Sequence, residues 1–62
     1  MDILNAILET LSEYTQPVKA TDLIAKCYQK VQKHANTYHF NILIGSGKIE
    51  RSSKGFYQLK QK

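Results

Sequence analysis

One cysteine, one proline, three glycines and no long apolar run set the first limits on this 62-residue chain. Cys27 has no partner within the chain, so no internal disulfide can staple the fold, and a reduced intracellular compartment is the expectation. The apolar stretches are far too short to span a bilayer, and no segment reads as a signal peptide. All the glycines lie in the last third, in Gly45-Ser46-Gly47 and at Gly55, without the spacing or the lysine-threonine ending of a phosphate-binding loop. His34 and His39 do not fall one helical turn apart and so cannot share a metal as an i, i+4 pair could. Glu9 and Glu13 are one turn apart, but on a polar helix face, where carboxylates are most simply solubilising. No nucleophile, base and orienting partner come together. Enzymatic activity, a metal site and a bound cofactor are therefore not expected.

What is present fits one domain over residues 1–62, near the lower size at which apolar burial alone folds a chain. Nine Lys and Arg against five Asp and Glu give a net charge of +4, and the charge is segregated. Asp2, Glu9, Glu13 and Asp22 outweigh Lys19 in residues 1–24, whereas from Lys26 onward every acidic group except Glu50 is gone. A basic C-terminal part beside an acidic N-terminal one is the electrostatic footprint of a nucleic-acid binder, and also of a merely basic soluble domain.

From Asp2 to Tyr14, Leu4, Ile7, Leu8 and Leu11 recur at i, i+3, i+4 and i+7, which predicts an amphipathic helix capped by Asp2. Pro17 ends it, and Val18 suits a very short strand. Thr21 is the expected cap of a second helix with Leu23, Ile24, Cys27 and Val31 on its apolar face and Lys26, Lys30 and Lys33 on the other. The next boundary has no glycine or proline to mark it. Asn36 or Thr37 can cap a third helix running to about Ile44, burying Phe40, Leu43 and Ile44 and exposing Tyr38 and Asn41. Tyr38, Phe40, Ile42 and Ile44 also alternate as in a strand. The Gly45-Ser46-Gly47 stop favours the helix.

Lys48–Ser52 and Phe56–Lys60, joined by a polar stretch ending in Gly55, predict a hairpin with Ile49, Tyr57 and Leu59 inward and Glu50, Phe56 and Gln58 outward. Leu8, Leu11, Leu23, Phe40, Leu43 and Tyr57 are the expected core, and the tail from Lys60 is expected to fray.

The order helix, Pro-Val, capped helix, helix, Gly47-Lys48-Ile49, basic tip, Gly55-Phe56-Tyr57-Gln58-Leu59 resembles the winged helix-turn-helix superfamily across nearly the whole chain. It is similar to small bacterial and phage regulators and, more weakly, to HARE-HTH domains, the winged domains of type IV antitoxins and Z-alpha domains. In the last comparison Asn41 stands where that family uses tyrosine, and the wing lacks a proline pair. The resemblance implies an α+β fold, a three-helix winged helix-turn-helix with a small C-terminal β-hairpin wing. It also implies double-stranded DNA as partner, with the third helix in the major groove and the wing on the backbone.

The side chains offer that chemistry. Asn41 can pair bidentately with adenine, and His34, Thr37 and Tyr38 can donate to phosphate or touch thymine methyls. Lys30, Lys33, Lys48, Arg51 and Lys54 can supply salt-sensitive phosphate contacts, helped by the hydroxyls of Ser52 and Ser53. The expectation is a cytoplasmic or nucleoid-associated transcriptional regulator, of the kind carried by phages or mobile elements. The alternative is a protein-interaction module in which Phe56, Tyr38 or Tyr28 meets a partner or a second copy.

Overall fold

The computed structural model describes residues 2–60, arranged as α1 (Ile3–Ser12), β1 (Val18–Lys19), α2 (Ala20–Val31), α3 (Thr37–Gly45), β2 (Ile49–Ser53) and β3 (Phe56–Leu59). The strands form one antiparallel sheet in the order β1-β3-β2. The α+β expectation holds. Residues 37–45 are helical, so the strand alternative for this segment falls.

In α1 the Asp2 carboxylate accepts from the Asn5 N–H at 2.8 Å, removing one of the free donors at the helix start. The helix stops at Ser12, short of Tyr14. Its buried face is Ala6, Ile7, Thr10 and Leu11, while Leu4 and Leu8 are only partly buried. The expectation for Leu8 is thus corrected: α1 packs on both α2 and β3, and the buried Thr10 is in contact with Cys27 of α2. Thr10 is tolerated there because its hydroxyl donates to the Ala6 carbonyl at 2.7 Å and lies 3.9 Å from the Cys27 sulfur.

Thr21 does not cap α2. The helix begins directly after β1, with Lys19 in the cap position and no side-chain bond there. The Ala20 N–H instead donates to the Gly55 carbonyl at 2.8 Å, so the hairpin turn takes up a donor that a side-chain cap would otherwise serve. Leu23 and Cys27 are buried and Ile24 and Val31 partly so. The helix ends on Gln32, whose φ of 59° places a non-glycine residue in the left-handed region.

Asn36 caps α3. Its side-chain oxygen accepts from the N–H groups of Tyr38 (2.9 Å) and His39 (3.4 Å), and its own N–H donates to His39 Nδ1 at 3.2 Å, completing a reciprocal capping box. Phe40 and Leu43 are buried. Ile44, expected to be buried, is only partly so. After Ser46 the chain reverses at Gly47, where φ is 76° and an L side chain would be strained, and the Lys48 N–H bonds the Leu43 carbonyl at 3.0 Å.

The hairpin starts at Ile49 rather than Lys48 and runs to Ser53 before turning at Lys54-Gly55, with Gly55 at φ 81°. Ile49 and Tyr57 are buried and Leu59 partly. On the other face Gln58 donates to the Glu50 carboxylate at 2.6 Å, and Phe56 is exposed. A register irregularity between Arg51 and Ser53 leaves Ser52 as the extra residue. The Lys60 N–H bonds the Lys48 carbonyl at 3.1 Å. The rest of the tail expected to fray lies outside the described residues.

Candidate nucleic-acid interface

Helix α3 buries Phe40 and Leu43 and leaves Thr37, Tyr38, Asn41, Ile42 and Gly45 exposed. Tyr38, Asn41, Ile42 and Gly45 recur at i, i+3, i+4 and i+7, so they form one strip along the helix. Tyr38 is 69% exposed and Ile42 38%. Nothing lies within 4 Å of the position a Cβ would take at Gly45, which leaves the C-terminal end of the strip open. No Asp, Glu, Lys or Arg belongs to the helix, whose sequence is TYHFNILIG. Ile42 is not among the residues expected to face DNA, because an isoleucine among Phe40, Leu43 and Ile44 carries no polar signal; its place on the strip follows only from its i+4 relation to Tyr38.

The expected cations surround other edges of the domain. Lys33 is exposed in the turn before α3, Lys48 at the base of the hairpin, and Arg51 and Lys54 on the hairpin arm and tip with Ser52 and Ser53. His34 stacks on Tyr28 of α2, ring centroids 4.5 Å apart at 25°, so its ring is held at the corner between α2 and α3.

Lys30 has a different environment from the other candidate cations. Its ammonium lies 2.9 Å from Glu13 and 3.4 Å from Glu9, joining α2 to α1. The Glu13 hydrogen bond, with Glu9 beside it, raises the Lys30 pKa above its ordinary value. Its charge is already answered within the fold.

The helix strip and the hairpin are tied together through the core. Helix α3 packs on β2. The Phe40 and Tyr57 rings lie 4.6 Å apart, inclined at 37°, and the Arg51 guanidinium carbon lies 5.7 Å from the centroid of the Tyr57 ring. Arg51 also pairs with Tyr57 in register. A cation on the wing therefore rests against a ring that packs on the buried side of α3. At the other end of the hairpin turn, the Gly55 bond to Ala20 ties the tip to the start of α2.

Among the described residues no group of three or more His, Cys, Asp and Glu could hold a metal ion, and no helix is long and apolar enough to cross a membrane. Cys27 is fully buried, and burial pushes its thiol pKa up against smaller opposing effects of the Thr10 hydrogen bond and Lys30.

No protein-family model and no curated protein matches the chain. Among solved structures it is similar to one described as the solution structure of the DNA-binding domain of Rok, with a TM-score of 0.80 and 14% sequence identity over 97% of this chain. The chain spans 61% of the length of that neighbour. At this identity the likeness establishes the fold, which is a winged helix: three helices with a three-stranded antiparallel sheet whose last two strands form the wing.

Proposed function

We propose that this chain is a small DNA-binding protein, a transcriptional regulator without catalytic activity or cofactor, acting inside the cell. Helix α3 enters the major groove, where Asn41 meets a base edge and Thr37, Tyr38 and His34 meet phosphates or thymine methyls. Lys33, Lys48, Arg51 and Lys54, with the Ser52 and Ser53 hydroxyls, touch the backbone on either side. Lys30 contributes least of the expected set, since its ammonium is held by Glu9 and Glu13.

The observation that carries this reading is the separation of roles on the surface. The exposed strip of α3 carries no charge, whereas exposed cations sit on the turn before it and on the wing. The carboxylates belong to α1 and its cap, to the start of α2, or, at Glu50, to a bond with Gln58. A solved structure of this fold is described as a DNA-binding domain, which supports DNA as the partner. The direct test is a mobility shift on mixed-sequence duplex DNA at stepped salt. A salt-sensitive complex supports the proposal, and no complex at the lowest salt refutes it.

A second reading is favoured by one surface feature. Tyr14, Pro17 and Phe56 line a common groove beside β1 together with Lys19, Asp22 and Lys26, and exposed aromatics are typical of protein interfaces. In that reading the domain meets a protein partner or a second copy there. Its complex would be less sensitive to salt than one held by phosphate contacts, since only Lys19, Asp22 and Lys26 bring charge to the groove.

A further inference from the structure

The absence of Lys and Arg from α3 restricts what the helix can read. The commonest specific contact in the major groove, Arg or Lys to the O6 and N7 of guanine, is not available from this helix. What the strip offers instead is one amide, Asn41, with an exposed branched aliphatic, Ile42, beside it and the Tyr38 ring one turn before both.

An aliphatic side chain in the groove has its best partner in the C5-methyl of thymine, which offers more apolar surface than the C5–H of cytosine; the other edge groups of the pairs are polar donors or acceptors that the approach would desolvate. We infer that Ile42 is a specificity-determining residue that reads a thymine methyl next to the adenine taken by Asn41. The recognised element is then a step of A·T pairs presenting a methyl and an adenine N6/N7 edge side by side. This rests on the DNA-binding reading above and goes beyond it by naming the chemical group that is read.

Two features of the helix allow such an approach. Gly45, one turn beyond Asn41 and Ile42, has no side chain and open space around it, so the helix can lie close to the groove floor along the strip. The Ile42 carbonyl is occupied by the Ser46 N–H at 3.0 Å and the Ser46 hydroxyl at 2.9 Å. The backbone beneath Ile42 is therefore fixed, and its side chain is presented from a bonded turn rather than a fraying one.

The test replaces the methyl without touching the protein. The probe is the duplex that the parent protein enriches from a random pool, prepared once with thymidine and once with deoxyuridine, which lacks only the C5-methyl. The parent should bind the deoxyuridine duplex about threefold to tenfold more weakly, as expected for burying one methyl group or a little more. Ile42→Ala should bind both duplexes alike. Asn41→Ala should keep the methyl discrimination and become insensitive to 7-deazaadenine, which removes the N7 acceptor.

Equal binding of both duplexes by the parent overturns the inference, as does discrimination that survives in Ile42→Ala, since that would arise from duplex shape. Salt-sensitive binding with no sequence enriched also overturns it and leaves the DNA-binding reading standing. Only a failure to bind any duplex at low salt removes both.

Discussion

The Arg51 guanidinium carbon lies 5.7 Å from the centre of the Tyr57 ring, and the same ring lies 4.6 Å from that of Phe40 in α3. One aromatic residue of β3 therefore connects a wing cation with the inner face of the helix proposed to read bases. Tyr57 is 5% exposed and Phe40 2%, so the geometry of this connection is set by core packing and not by flexible surface groups.

Truncating Phe40 should remove both the largest fully buried side chain and the support of Tyr57. Phe40→Ala is expected to cost about 3 to 5 kcal/mol. A domain of this length has roughly 3 to 9 kcal/mol in all, so the variant should be largely unfolded or close to it. Urea or thermal unfolding followed by circular dichroism measures this, and a variant that melts like the parent would remove Phe40 from the core.

The capping box gives a second, smaller effect. Asn36→Ala deletes the acceptor used by the Tyr38 and His39 N–H groups and should lower stability by about 0.5 to 2 kcal/mol. Asn36→Asp, which keeps an acceptor at the same place, should retain most of it. Amide hydrogen exchange across Tyr38–Phe40 should report the change locally as a faster-opening first turn.

Cys27 should be inert in the folded protein. Burial raises its thiol pKa, so the neutral form is held at pH values where a free thiol would begin to ionise. Because the folded pKa lies above the unfolded one, the associated stability is fully present below the unfolded pKa and disappears as pH rises through the folded pKa. Alkylation by iodoacetamide at mildly alkaline pH should be slow in buffer and fast in denaturant; rapid labelling of the folded protein would contradict the burial.

Freeing Lys30 should strengthen DNA binding. In Glu9→Gln/Glu13→Gln the ammonium is released from both of its partners, the net charge rises, and the slope of log affinity against log salt should steepen. Stability should change little, because ion pairs on the surface contribute little. Fluorescence anisotropy on a labelled duplex at several salt concentrations checks the direction, and an unchanged slope would place Lys30 away from the DNA.

Much of this fold is legible in the residues. The apolar periodicity places three helices, Pro17 and Val18 mark the short first strand, and Gly47 and Gly55 mark the two turns, each of which adopts a positive φ that favours glycine. Three features are hidden. The start of α2 cannot be read because its first N–H is served by Gly55, distant in sequence, where Thr21 looks like the local answer. The end of α2 is obscure because glutamine stands in a left-handed position that glycine would have advertised. The buried face of α1 takes in Ala6 and Thr10 beside Ile7 and Leu11, because α1 is covered by both α2 and β3 and the Thr10 hydroxyl is satisfied by the Ala6 carbonyl, which an apolar pattern does not reveal. The exposed Tyr38 and Asn41 follow from helical periodicity alone. The ion pairing of Lys30 and the stacking of Arg51 on Tyr57 depend on tertiary approach, which no local pattern reveals.

The wing tests the central claim most directly. Arg51 and Lys54 flank the exposed Ser52-Ser53 arm, and Gly55 closes the turn beside them. The measurement is the affinity of Arg51→Ala/Lys54→Ala for duplex DNA as a function of salt. Binding to all duplexes should weaken alike, and the log–log salt slope should become shallower by nearly two units, about 0.9 for each phosphate no longer neutralised. Stability should fall by no more than about 1 kcal/mol, the worth of the cation–π interaction with Tyr57. A double variant that keeps the parent's affinity and salt slope would contradict a wing on the DNA backbone and leave the groove at Tyr14, Pro17 and Phe56 as the better candidate for the working surface.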